Sequence, residues 1–78
     1  MLSVDISFRG SEDDGTLYAL IHNPAVLPSG LYSQIKRYGL TGPSGNNPQF
    51  SGTLNGSRRA LTELIQTYGL ALRVVPFE

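Results

Sequence analysis

The chain has 78 residues, no cysteine and a formal net charge of zero. A chain this short buries only about 60–65% of the surface it exposes when unfolded, which leads us to expect a single domain over 1–78 with one modest core and no deep cleft between lobes. Without cysteine, disulfides, thiolate nucleophiles and thiolate-bound zinc are excluded, and packing alone must hold the fold in a reducing, cytoplasmic setting.

Leu2, Val4, Ile6 and Phe8 alternate with Ser3, Asp5, Ser7 and Arg9, which predicts a strand with one face on a core and the other in water. The opening "MLSVDISFRG" lacks the basic stretch and apolar run of an export signal. The longest apolar run, around 17–21, falls far short of the roughly 20 residues that cross a bilayer, so no membrane association is expected. "GSEDDG" at 10–15 predicts a tight reversal, with Asp14 bonding its own turn and Gly15 supplying positive φ. "TLYALIH" at 16–22 is the returning strand. Its apolar residues do not alternate, which suits a strand covered on both faces or placed centrally.

The two prolines of "NPAVLPSG" at 23–30 exclude helix there. A short helix follows, with Ser29 as its N-cap and Leu31, Ile35 and Tyr38 on one face. "TGPSGNNP" at 41–48 is loop. "QFSGTLN" at 49–55 is a third strand with Phe50 and Leu54 on the same side, weakened by Gly52. Asn55 or Ser57 caps a second helix with a stripe of Leu61, Leu64, Ile65 and Tyr68, and "LALRVVPF" at 70–77 is a fourth strand that Pro76 ends.

"IKRYGL" at 35–40 and "IQTYGL" at 65–70 share a pattern thirty residues apart. Glycine suits the left-handed residue that stops a helix, and the apolar residue after it folds back on the last turn. Gly39 and Gly69 therefore read as helix terminators, with Leu40 and Leu70 returning to Ile35 and Ile65. The sequences upstream do not match, so a duplicated functional motif is not needed. The order β-β-α-β-α-β predicts an α+β two-layer sandwich: a four-stranded mixed sheet with two short helices, in which strands three and four form a right-handed crossover if they are parallel neighbours. The run 49–76, ending "YGLALRVVP", resembles the small rod-linker domains of phycobilisomes, which also close with a helix, a glycine and a short apolar strand near a proline. That resemblance spans about a third of the chain, the second helix departs from the pattern, and nothing functional is carried over.

Catalytic groups are sparse. His22 is the sole histidine, and no nucleophile sits in a sharp strand-to-helix GxSxG turn, so His22 is expected to be a strand-end side chain bonded to a loop carbonyl. Glu12, Asp13 and Asp14 lack the ligand ladder of a calcium loop, and "GPSGNN" lacks the Gly-Lys-Ser/Thr of a phosphate loop. Neither a metal nor a cofactor is expected.

Charge is unevenly placed, with acidic residues concentrated before residue 30 and basic ones after it. Lys36 and Arg37 fall in the last turn of the first helix, where they offset the helix dipole, whereas Arg58 and Arg59 fall in the first turn of the second, where they oppose it. With Ser57 and free amides, these four cations form a candidate anion site. Ala25, Val26 and Leu27 are apolar yet lie in a proline-bounded loop, and either tuck under the sheet or face a partner.

Two functions are compatible with these features. The first is a non-enzymatic protein-binding module, a small inhibitor or adaptor of the kind phages and bacteria encode, that meets another protein through Val26, Leu27, Tyr32, Arg58 and Arg59. The second is nucleic-acid or phosphate binding through Lys36, Arg37, Ser57, Arg58 and Arg59, with Tyr32 or Tyr38 stacking on a base. An unprotected sheet edge would also make a homodimer easy.

Overall fold

The computed structural model describes residues 2–11, 13–42 and 48–77. Its elements are β1 (Ser3–Arg9), β2 (Tyr18–Ile21), a single 3₁₀ turn (Pro24–Val26), α1 (Ser29–Arg37), β3 (Phe50–Thr53), α2 (Arg58–Thr67) and β4 (Ala71–Val74). The architecture is α+β, with one four-stranded mixed sheet and two helices.

Alternation in β1 works as expected: Val4 and Ile6 are fully buried, while Ser3 and Asp5 point the other way. Ile6 lies opposite Ile21, Phe8 opposite Ala19, and Ile21 opposite Phe50, so the apolar residues of three strands share one face. Leu31 and Ile35 of α1 and Leu61 and Ile65 of α2 join them in one core. The β1–β2 reversal contains Gly15 at φ 69°, but the side-chain bond described in that turn comes from Ser11, whose Oγ accepts from Asp13 N, rather than from Asp14.

The sheet runs β3-β2-β1-β4. β2 is central, as its missing alternation allowed, and pairs antiparallel with β1 and β3. β4 pairs parallel with β1 at the opposite edge from β3, so strands three and four are not neighbours. Extending the sheet beside β1 places Leu72 opposite Val4, on the apolar face. The two sheet edges differ. Ser51 of β3 exchanges backbone hydrogen bonds with Thr41, both at 3.0 Å, whereas no described residue pairs with the outer edge of β4.

Both glycine stops are present. α1 ends at the cap Tyr38 with Gly39 at φ 99°, and α2 at the cap Tyr68 with Gly69 at φ 80°. Leu40 and Leu70 then enter the core with Ile35 and Ile65.

Local details depart from the sequence expectations in three places, at Pro24, Ser29 and Tyr68. Proline's fixed φ suits the first residue of a helical turn, so Pro24 starts a 3₁₀ turn, which corrects the exclusion of helix from 23–30. Ser29 is the first helical residue of α1, whose cap position is Pro28 with no side-chain bond. Ser57 does cap α2, its Oγ accepting from Ala60 N at 3.0 Å. Tyr68 is not core: it lies across the helix layer, where a Cβ on Gly30 would come 3.4 Å from its hydroxyl. Residues 43–47 and Glu12, which carry most of the glycine-rich loop and part of the acidic cluster, lie outside the described residues.

Candidate functional site

The proline-bounded loop is pinned by side-chain bonds from Asn23 at its start and from Tyr32 just beyond its end. Asn23 staples it to β1 twice, its Oδ1 accepting from Asp5 N at 2.8 Å and its Nδ2 donating to Ser3 O at 3.0 Å. Pro24 O accepts from Leu27 N at 3.0 Å and from the Tyr32 hydroxyl at 2.9 Å. The Tyr32 ring in turn meets Phe50 edge to face, with centroids 5.0 Å apart. Pro24 and Leu27 are the inward anchors of this turn, while Ala25 is exposed and Val26 half-buried. Leu27, 6% exposed, therefore belongs to the core and offers no surface to a partner. Beside the turn lies a shallow, mostly apolar depression of about 240 Å³, lined by His22, Asn23, Pro24, Ala25, Tyr32 and Pro48.

His22 borders that depression but is committed to a hydrogen-bond chain. Its Nε2 is 2.6 Å from Ser7 Oγ, its Nδ1 is 3.4 Å from Gln49 Nε2, and the Ser7 hydroxyl donates to Pro76 O at 3.2 Å. The chain closes if Gln49 donates to Nδ1 and the imidazole donates from Nε2 to Ser7, whose own proton goes to Pro76. In that arrangement His22 donates to the hydroxyl instead of drawing its proton, and Ser7 is fully buried. His22 thus bonds a hydroxyl and a side-chain amide, not the loop carbonyl expected of it. Among the described residues no buried side-chain nitrogen or oxygen lacks a hydrogen-bond partner, and no cluster of three metal-ligating side chains occurs.

The end of α1 is tied to the segment before α2 by Asn55, which donates from its backbone to Tyr38 O at 2.6 Å and from its side chain to Arg37 O at 3.5 Å. Lys36 and Arg37 occupy the last turn of α1. The Ser57 hydroxyl accepts the cap bond from Ala60 N, which uses an oxygen lone pair and not its proton. The Arg58 guanidinium lies over the Phe8 ring, 4.6 Å from its centroid, and Arg59 pairs with Glu63 at 3.2 Å. The charges that oppose the helix dipole thus find compensation in an aromatic face and an i,i+4 pair. Both candidate stacking tyrosines are half-buried, Tyr32 against Phe50 and Tyr38 beside Gly56.

Val26 and Tyr32 sit with the loop stapled to the start of β1, whereas Arg58 sits over Phe8 near its other end. The structure therefore does not unite the loop with the arginines in one site. Sequence reasoning missed Asn23, Ser7 and Gln49. Only Asn23 left a signal, as an asparagine before a proline at a strand end, where its side chain bonds nearby backbone. Among known proteins, no family model, curated protein or solved structure matches the chain, and the rod-linker resemblance gains no support.

Proposed function

We propose that the chain is a non-enzymatic protein-binding module, an inhibitor or adaptor working in the cytoplasm without a cofactor, that meets its partner through the stapled loop at Ala25 and Val26. The observation that carries this reading is the loop itself: three side-chain bonds to or from backbone, from Asn23 and Tyr32, hold an exposed turn beside an apolar depression. A turn ordered in advance loses little entropy on binding. Small-molecule sites usually enclose about 300–1,000 Å³, and the open depression of about 240 Å³ suits one inserted apolar side chain better than an enclosed substrate.

Affinity capture from the native host, followed by mass spectrometry, tests this reading. The wild type should recover a specific protein that Ala25→Glu and Val26→Glu lose, while both variants keep the wild-type circular dichroism spectrum. Repeated recovery of the bait alone, or a partner retained by both variants, would refute it.

A further inference from the structure

The outer edge of β4 is a second surface, on the far side of the sheet from β3, that the stapled loop does not use. In the parallel ladder Ala71 N donates to Leu2 O and Val75 N to Ile6 O, so the alternate residues Leu72 and Val74 turn their backbone N–H and C=O groups outward. No described residue pairs with them, although the opposite edge is closed by Thr41. The edge is only lightly protected, by the shortness of β4 and by Pro76 two residues beyond its end. Its strand carries no lysine or bulge, Arg73 is folded back onto Asp5 by two bonds of 2.9 and 3.0 Å, and Val74 is 50% exposed. Beside the strand runs an open groove lined by Arg58, Arg59, Thr62, Glu63, Gln66 and Leu72.

We propose that this edge pairs with the same edge of a second copy, giving a two-fold dimer with a continuous eight-stranded sheet. A two-fold axis makes the paired strands antiparallel. With Val74 on the axis, Val74 packs against its counterpart, and Arg73 faces Val75 of the second copy instead of another arginine. The α2 helices then also run antiparallel across the groove, so Arg59 of each copy faces Glu63 of the other. The surface is self-complementary in charge. The bond between Arg59 and Glu63 within one chain uses only Nε and Oε1, and both side chains stay exposed, at 87% and 63%. A net charge of zero means that two copies do not repel each other. These features select a second copy over a partner of one charge sign. The inference is independent of the loop reading, and the dimer would present two such loops, so a multivalent partner would bind with avidity.

Sedimentation equilibrium and concentration-dependent hydrogen exchange on the full chain test the proposal. The expected result is twice the mass of one chain, dissociating on dilution, with the Val74 amide slowing as concentration rises. Val74→Lys should give the mass of a single chain. R59E and E63R should each weaken the dimer about tenfold, and an equimolar mixture of the two should regain wild-type affinity, because opposite charges again face each other between chains. Loss of the helical pair within each chain cannot produce that recovery. A one-chain mass at all concentrations would overturn the proposal, as would a dimer whose Val74 amide exchanges at an unchanged rate. Should Val74→Lys fail to fold, the exchange measurement on the wild type decides alone.

Discussion

Gly39 and Gly69 end their helices by the same backbone move, with nearly the same pattern of closing bonds, yet the space around them differs. Gly39 N donates to Lys36 O at 3.2 Å and Gly69 N to Gln66 O at 2.9 Å. A Cβ on Gly39 would lie 2.3 Å from Thr53 O, because the exit of α1 crosses β3 there; at Gly69 a Cβ would meet nothing within 4 Å. Gly69→Ala should therefore lose only the left-handed strain, about 1 kcal/mol, whereas Gly39→Ala must also displace backbone and should lose about 3 kcal/mol or more. Urea unfolding midpoints check this, and equal losses would contradict the crossing. The sequence showed both stops but not their difference, because an apolar-Gly-apolar pattern reports φ and says nothing about which strand passes by. Ser7 was illegible for a similar reason. As a small polar residue on the outward face of β1 it reads as solvated, but His22 and Pro76, both distant in sequence, lie against it and it is fully buried. A fluorophosphonate probe should leave Ser7 unlabelled in the folded protein, and rapid labelling would reopen the catalytic reading.

At the scale of elements, helix starts are where similar serines take different roles. Ser57 Oγ accepts from Ala60 N, whereas α1 starts behind Pro28 without a side-chain cap, Leu31 N and Tyr32 N donating to Pro28 O at 3.0 and 3.1 Å. Ser57→Ala should cost about 1 kcal/mol. Ser29→Ala should cost nothing and can gain a few tenths of a kcal/mol, since alanine is the better helix former. Thermal unfolding of the two variants measures the contrast, and a comparable loss at Ser29 would mean that it caps after all. The existence and type of the four strands and two α-helices were readable, though the 3₁₀ turn was not, because period-two alternation in β1 and the Leu61 and Ile65 spacing in α2 are local signals. Strand order was not. β4 carries the same apolar residues whether it joins β3 or β1, and the choice depends on pairings across the whole chain, such as Val4 with Leu72. The stapled loop was half legible: its prolines announced a stiff segment, but nothing local divided the inward Leu27 from the outward Ala25.

Over the whole molecule, the helices cover one face of the sheet and the segment after β4 crosses part of the other. Phe77 meets Tyr18 edge to face at 5.6 Å, and the Arg9 guanidinium lies 4.6 Å from the Phe77 centroid and 5.6 Å from that of Tyr18. With the Ser7 bond to Pro76, this cluster ties residues far apart in sequence, and Arg73 and Asp5 add a two-pronged ion pair on the same face. The two ties should respond to salt in different ways. An edge-to-face pair contributes about 0.5–1.5 kcal/mol and an exposed cation over an aromatic ring about 0.5–1, so Phe77→Ala should lose about 1–2 kcal/mol. The ion pair, with Arg73 66% exposed, is discounted for solvent screening to at most about 1 kcal/mol. In about 1 M salt the Debye length shrinks to about 3 Å, so the deficit of Arg73→Ala should shrink towards zero while most of the Phe77→Ala deficit remains. Urea unfolding of both variants at low and high salt separates the two contributions. A Phe77→Ala deficit that disappears with salt would show that the aromatic contact does not hold the tail, and that charge closes the open face instead.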